Sequence, residues 1–220
     1  MTNIKAVLFD LDNTILDRSK TFRNFTLSFV NTYFNHVEIT DHLVRRIVEL
    51  DQDGYKDKAE LFEELIVELP WKISPELPEL MEYYELHYVR NATLMEQAQE
   101  VVQHIKSKYK TGLITNGRTL IQYGKIDRIG LRNEFDLIVV SEEVGIKKPN
   151  PQIFKMALER LEVNPEECIY IGDHPTNDIE GAGKAGMKTI WMQVNQPWNP
   201  GLTIKPNYEI KRLGELLALL

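Results

Sequence analysis

The sequence predicts an α/β protein: a Rossmann-like parallel sheet core interrupted by an inserted helical bundle. Three observations predict it. Short apolar runs alternate with helix-period segments from about residue 94 onward, the pattern of a parallel sheet with helical crossovers. Residues 17–91 carry helix-period patterning and no convincing strand. One strand of the buried type stands alone ahead of that stretch and needs partners from beyond it. Residues 1–16 and 92–220 are therefore expected to form one core domain, with residues 17–91 projecting as a helical cap.

In chain order, Ala6 to Phe9 is continuously apolar, as suits a strand covered on both faces. It ends in Asp10-Leu11-Asp12-Asn13-Thr14. Four apolar stripes at helical spacing follow: Phe22 to Tyr33, Leu43 to Val48, Leu61 to Leu69 and Leu77 to Tyr88. Turn signals separate them at Asn35-His36, Asp53-Gly54 and Pro70 to Pro75. Beyond them, Ala98, Val101, Val102 and Ile105 mark a helix face, and Thr111 to Thr115 a strand. Leu120, Ile121 and Ile126 mark a helix stopped near Gly130. Phe135 to Val140 reads as the next strand. Asn150-Pro151 supplies the cap and first residue of a helix with Ile153, Phe154, Ala157, Leu158 and Leu161 on one face. Cys168 to Ile171 and Lys188 to Val194 read as further strands, separated by a short helix that ends at Gly186. Leu213 to Leu220 is expected to be a helix outside the sheet.

With 220 residues and 43% hydrophobic content, the chain can bury a substantial core. Its net charge of -7 offers no general field for a nucleic acid polymer. The single cysteine, Cys168, excludes an intramolecular disulfide and lies in an apolar run, where a small buried hydrophobe is expected. Only Lys5 precedes the first apolar run, which Asp10 interrupts. Neither a signal peptide nor a membrane span is expected there, and a soluble cytoplasmic protein follows.

The chemistry-bearing residues fall just after the predicted strands, on the rim where open parallel sheets bind ligands. The first strand delivers Asp10 and Asp12, whose side chains would point the same way in extended backbone. The second delivers Thr115 and Asn116. Ser141 ends the next, with Lys148-Pro149 one short loop on, and the fourth delivers Asp173 with Asn177 and Asp178 beyond. Carboxylates gathered at one point call for a hard cation with oxygen ligands, and Mg²⁺ suits a site that also takes a phosphate. Thr115 and neighbouring backbone N–H groups can hold phosphate oxygens. Lys148 can neutralise both the carboxylates and a transferring group. An aspartate can attack phosphorus, while a second acid protonates the leaving oxygen and then activates water.

This set resembles the haloacid dehalogenase superfamily of phosphohydrolases. Its four motifs stand in order as Asp10-Leu11-Asp12-Asn13-Thr14, Thr115-Asn116-Gly117, Lys148-Pro149, and Gly172-Asp173 with Asn177-Asp178. The helical insertion resembles that superfamily's first type of cap. The resemblance implies Asp10 as nucleophile, and Asp12 as general acid and base that also gives a backbone carbonyl to Mg²⁺. It implies Thr115 and the Asn116 backbone as phosphoryl binders. Lys148 would orient Asp10, and Asp173 would ligate Mg²⁺. Asp178 would ligate it through water or hold Lys148, with Asn177 in support. Lys148 is preferred to Lys147 because it directly precedes the proline. A Mg²⁺-dependent phosphomonoesterase acting on a small phosphorylated metabolite is the expected function. Residues Ser141 to Gly145 and Lys147 to Pro151 look most like the pyrimidine 5′-nucleotidase branch, which points to a nucleoside monophosphate. Phosphoglycolate phosphatases share much of that pattern, so phosphoglycolate or a sugar phosphate is the alternative.

Asp12 argues against a carbon–halogen hydrolase, which has no alkoxide to protonate. A receiver-type signalling protein would lack the large insertion, and a silent binding protein need not keep every catalytic position. Asp51 to Tyr55 has the spacing of a calcium loop, but Phe62 stands where its last glutamate belongs. Gly181 to Gly186 fits the dinucleotide-binding glycine pattern without directly following a strand, so close helix packing is expected instead. His174 is read as a loop residue near the site.

Overall fold

The computed structural model describes residues 3–37 and 41–220; residues 1, 2 and 38–40 of the two expected domains lie outside the described residues. The chain divides into two compact units, residues 1–17 with 94–220, and residues 18–93.

The first unit is built on a sheet of β1 (Ala6–Phe9), β2 (Lys110–Thr115), β3 (Leu137–Val140), β4 (Cys168–Gly172), β5 (Lys188–Met192) and β6 (Tyr208–Ile210). The strand order is β3-β2-β1-β4-β5-β6 and every pairing is parallel. The lone first strand thus lies at the centre, its Phe9 level with Leu113 on one side and Ile171 on the other. Its four side chains are fully buried, which is why the run carries no polar alternation. On one face Ala6, Leu8, Ile114, Cys168 and Tyr170 pack with Ile153, Phe154, Ala157 and Leu158 from the helix Pro151–Leu161. Each large apolar group so buried contributes roughly 1.5–3 kcal/mol. Asn150 caps that helix by accepting from the Gln152 N–H at 3.0 Å. Gly181 packs close to Phe154 and Pro149, the helix-packing role expected for that glycine run.

The second unit comprises α1 (Arg18–Tyr33), α2 (Asp41–Asp51), α3 (Lys58–Glu68) and α4 (Leu77–Arg90). Phe22, Phe25, Phe29, Phe62, Leu65, Tyr84 and Tyr88 form its aromatic-rich interior. At the end of α2, Gln52, Asp53 and Gly54 are successive left-handed residues over the Arg18 side chain. Arg18 and Lys58 lie 2.6 and 2.7 Å from the two Asp51 carboxylate oxygens. Protein cations thus neutralise Asp51 at the turn whose spacing resembled a calcium loop.

Several boundaries differ from the sequence reading. β3 begins at Leu137 because residues 132–134 form a tight helical turn. β5 ends at Met192, and the tail is a turn at Leu213–Glu215 followed by one helical turn at Leu216–Leu219. β6 has no counterpart in the sequence reading: it is a three-residue edge strand with Tyr208 and Glu209 exposed, so no apolar run marks it.

Candidate active site

The strand order reverses at β1, which opens a crevice at the carboxyl ends of β1, β2 and β4. Asp10 follows Phe9 directly, and its N–H still donates to the Ile171 carbonyl at 2.9 Å. Thr115 and Asp173 each lie two residues beyond the partners of Phe9. The chain then turns sharply through Asn13, which is left-handed, a conformation asparagine tolerates.

Lys148 is the hub. Its Nζ lies 2.5 Å from Asp10 Oδ1, 2.7 Å from Asp178 Oδ1 and 3.0 Å from the Tyr170 hydroxyl. Lys148 is buried and Lys147 is exposed, as expected from the position of the proline. The Asn116 side chain fixes the hub's backbone: its Oδ1 accepts from the Lys148 N–H at 2.9 Å, and its Nδ2 donates to the Lys148 carbonyl at 3.0 Å. Tyr170 donates in turn to the Ile114 carbonyl at 3.1 Å. The sequence reading had assigned Tyr170 to strand β4 only. A tyrosine in an otherwise aliphatic buried strand was the available signal, since its hydroxyl must find a partner.

Asp178 is brought back to the strand ends by the wide helical turn Pro175–Glu180. Its Oδ2 accepts from the His174 N–H at 2.9 Å, so both carboxylate oxygens are engaged by the protein. Gly172 makes room for it, because a Cβ there would collide with the Asp178 carboxyl group. His174 Nδ1 accepts from the Thr176 and Asn177 N–H groups at 3.1 Å, a capping role that uses the Asn177 backbone. Among the described residues no hydrogen bond joins the Asn177 side chain to Asp10, Lys148 or Asp178. The Trp191 indole N–H, unrecognised in the sequence, donates to the Asp173 carbonyl at 2.8 Å.

Asp12 has partners of its own, while standing close enough to Asp10 to help raise its carboxyl. Strand β1 ends at Phe9, and the Asp12 carboxylate meets Lys125 Nζ at 2.7 and 2.6 Å. Gln122 Nε2 adds a contact at 3.1 Å and also donates to the Thr115 hydroxyl. Both residues belong to the helix Thr119–Arg128. The buried set on that helix is Ile121, Gln122, Lys125 and Ile126, while Leu120 is exposed. The two carboxylates of the first motif thus each have a lysine of their own.

Carboxylate oxygens of Asp10, Asp173 and Asp178 lie within 4.8 Å of one another, and all three residues are buried. Burial pushes the Asp10 carboxyl up to about 7; Lys148 opposes that, while Asp178 and Asp12 add to it. Burial alone would lower the Lys148 pKa, but Asp10, Asp178 and Tyr170 together hold it well above its ordinary value. Burial likewise raises the Cys168 thiol, which fits an inert core residue. Among the described residues, Asp10, Asp173 and Asp178 gather buried carboxyl groups beside the Lys148 ammonium, and the donors are all oxygen. That is a fit for a hard divalent cation.

Residues 7–192 match the family described as haloacid dehalogenase-like hydrolase. The chain belongs to that family. It is a phosphatase of the haloacid dehalogenase type, and relatives named as phosphatases agree. Glyceraldehyde 3-phosphate phosphatase of Pyrococcus furiosus is 30% identical over 100% of this chain and 94% of its own. The pyrimidine 5′-nucleotidase YjjG of Escherichia coli is 39% identical over 56% of this chain and 55% of its own. Among solved structures, the haloacid dehalogenase-type hydrolase YfnB of Bacillus subtilis, bound to magnesium, aligns with a TM-score of 0.81 at 27% identity, covering 100% of this chain and 99% of that one. Among the described residues no helix is long and apolar enough to cross a membrane.

Proposed function

We propose that this phosphatase depends on Mg²⁺, works through an aspartyl-phosphate on Asp10 and acts on small phosphorylated metabolites. The observation that carries the reading is the Lys148 hub. It holds Asp10 and Asp178 at 2.5 and 2.7 Å beside Asp173, at the carboxyl ends of the central strands.

Asp10 Oδ attacks phosphorus, and the ester P–O bond breaks. Thr115 and the Asn116 backbone hold the phosphoryl oxygens, and Lys148 keeps the Asp10 carboxylate in line. Asp12 gives its proton to the departing alkoxide. Water then attacks the aspartyl-phosphate, Asp12 takes the proton back, and the bond between Asp10 and phosphorus breaks. Asp10, Asp173 and the Asp12 carbonyl would hold Mg²⁺; Asp178, already engaged by Lys148 and His174, would act on it through water. When bound, the cation supplies charge neutralisation for the carboxylates and the phosphoryl group.

Residues 17–91 are proposed as a cap that selects the substrate. Likeness along the whole chain to glyceraldehyde 3-phosphate phosphatases supports a short-chain sugar or triose phosphate. The higher identity to a pyrimidine 5′-nucleotidase, over about half of each chain, supports a nucleoside monophosphate as the second reading. The test is inorganic phosphate release from para-nitrophenyl phosphate with and without Mg²⁺, followed by a panel of triose phosphates, sugar phosphates, phosphoglycolate and nucleoside monophosphates. Folded protein with no turnover in Mg²⁺ refutes the reading. Asp10→Asn is expected to abolish turnover, and near-normal activity in that variant refutes the assigned nucleophile.

A further inference from the structure

The helix after the second motif carries two buried polar side chains that the four-motif chemistry does not use. Gln122 and Lys125 are each only 2% exposed, and they stand i, i+3 on one helix face. A lysine buried to that degree is costly unless its charge is met. Here it is met by both carboxylate oxygens of Asp12, at 2.6 and 2.7 Å. Two contacts from one ammonium, with a third from Gln122 Nε2 at 3.1 Å, fix the plane of the carboxylate. Gln122 also donates to the Thr115 hydroxyl and to the Asn116 carbonyl, the latter at 3.1 Å. The Thr115 hydroxyl accepts from that amide, and its own donation to the Asn116 carbonyl is long at 3.5 Å, so a phosphoryl oxygen can compete for its proton.

We propose that Lys125 and Gln122 are positioning residues for the reaction: Lys125 aims the Asp12 carboxylate, and Gln122 couples that carboxylate to the phosphoryl-binding hydroxyl of Thr115. This rests on the phosphatase mechanism given above. The step most exposed to its loss is the second. There the water oxygen forms a bond to phosphorus, the bond from phosphorus to Asp10 Oδ breaks with its electron pair returning to Asp10, and the water proton passes to Asp12. A misaimed Asp12 slows that transfer. It also slows release of an alkoxide, which needs the proton back, but not release of para-nitrophenolate, which leaves unprotonated.

The experiment is rapid-mixing kinetics in Mg²⁺ on wild type, Lys125→Met and Lys125→Arg, with para-nitrophenyl phosphate and an alkyl phosphate such as glycerol 3-phosphate. Lys125→Met is expected to keep a para-nitrophenolate burst of about one per site while its steady rate falls roughly 10- to 100-fold, within the range of proton-transfer catalysis. Its alkyl phosphate should lose the burst as well. Lys125→Arg, which retains a planar donor pair for the carboxylate, should recover most of the steady rate. In an Asp12→Asn background, adding Lys125→Met should change the rate less than twofold.

A Lys125→Met variant within twofold of wild type on both substrates overturns the inference. So does an equal fall in burst rate and steady rate on both substrates with a burst of about one per site, because Lys125 would then serve the attack by Asp10 as much as the proton transfer. A further large loss in the Asp12→Asn background overturns it too, because Lys125 would then act on something else. A wild-type enzyme without turnover refutes the phosphatase mechanism itself, and the wild-type control separates that outcome from the others.

Discussion

Replacing Lys148 by methionine removes the ammonium that, among the described residues, faces both Asp10 and Asp178, and keeps the volume of the side chain. The Lys148 side chain is 3% exposed and those of its partners 9% and 1%, so solvent cannot take its place. The carboxylates of Asp10, Asp173 and Asp178 are then left with oxygens within 4.8 Å of one another. At an effective dielectric constant of ~20, two unit charges that far apart repel by about 3.5 kcal/mol. Removing one partner from a buried ion pair costs about 3–5 kcal/mol in measured systems, a consistent figure. Metal-free Lys148→Met is therefore expected to lose about 3–5 kcal/mol at pH 8, roughly 10 °C in Tm for a chain of this size. The loss should shrink at pH 5. Asp10 is already raised to about 7 with the lysine present, and without it a proton held on Asp10 relieves the repulsion at the lower pH. Mg²⁺ should bind the variant more tightly than wild type, because a competing positive charge is gone, while turnover falls at least 100-fold. Urea unfolding at both pH values in EDTA, with calorimetric Mg²⁺ titration, measures all of this. A variant as stable as wild type at pH 8 without metal, or one that binds Mg²⁺ more weakly, refutes the reasoning.

Two other outcomes are expected. Gly172→Ala places a methyl group against the Asp178 carboxyl group, so Asp178 must move and Lys148 loses an anchor; turnover should fall at least tenfold with KM changed little, and unchanged kcat would count against this account. In the metal-free protein Asp10 holds its proton up to about pH 7, against 3.8 in the unfolded chain, so this group's contribution to stability is full below about pH 4 and lost as pH rises through 7. Mg²⁺ needs the carboxylate, so its affinity should climb over the same window with release of a proton; a dissociation constant that does not vary between pH 5.5 and 8 would show that Asp10 does not take part.

The fold class was legible because the parallel sheet is buried on both faces, and Ala6 to Phe9 and Cys168 to Ile171 therefore have nothing polar to hide them. The positions of Asp10, Thr115 and Asp173 followed from strand ends, and that of Lys148 from the loop after Ser141 and the proline beside it. What supports them was less visible. Gln122 and Lys125 look like the wet side of an amphipathic helix, and the apolar stripe was drawn through Leu120, which is 66% exposed. Buried polar residues follow the same helical period as apolar ones, so hydropathy gives them no signature. The Lys125 partner of Asp12 lies 113 residues further along the chain, where no local pattern displays it. Asn116 was read for its backbone, although its side chain is what holds Lys148 in place.

The central place of β1 has a consequence for how the enzyme is made. Strand β1 leaves the ribosome well before the strands that flank it, which start at Lys110 and Cys168. At about 5–20 residues per second, β1 waits several seconds for its first neighbour and longer for its second. The helical unit, residues 18–93, is complete in between, and its contacts are local. The newborn chain thus carries a finished helical domain and an unpaired apolar strand with Asp10 at its tip. A chain arrested before Asp178 has emerged leaves Lys148 without its second carboxylate anchor.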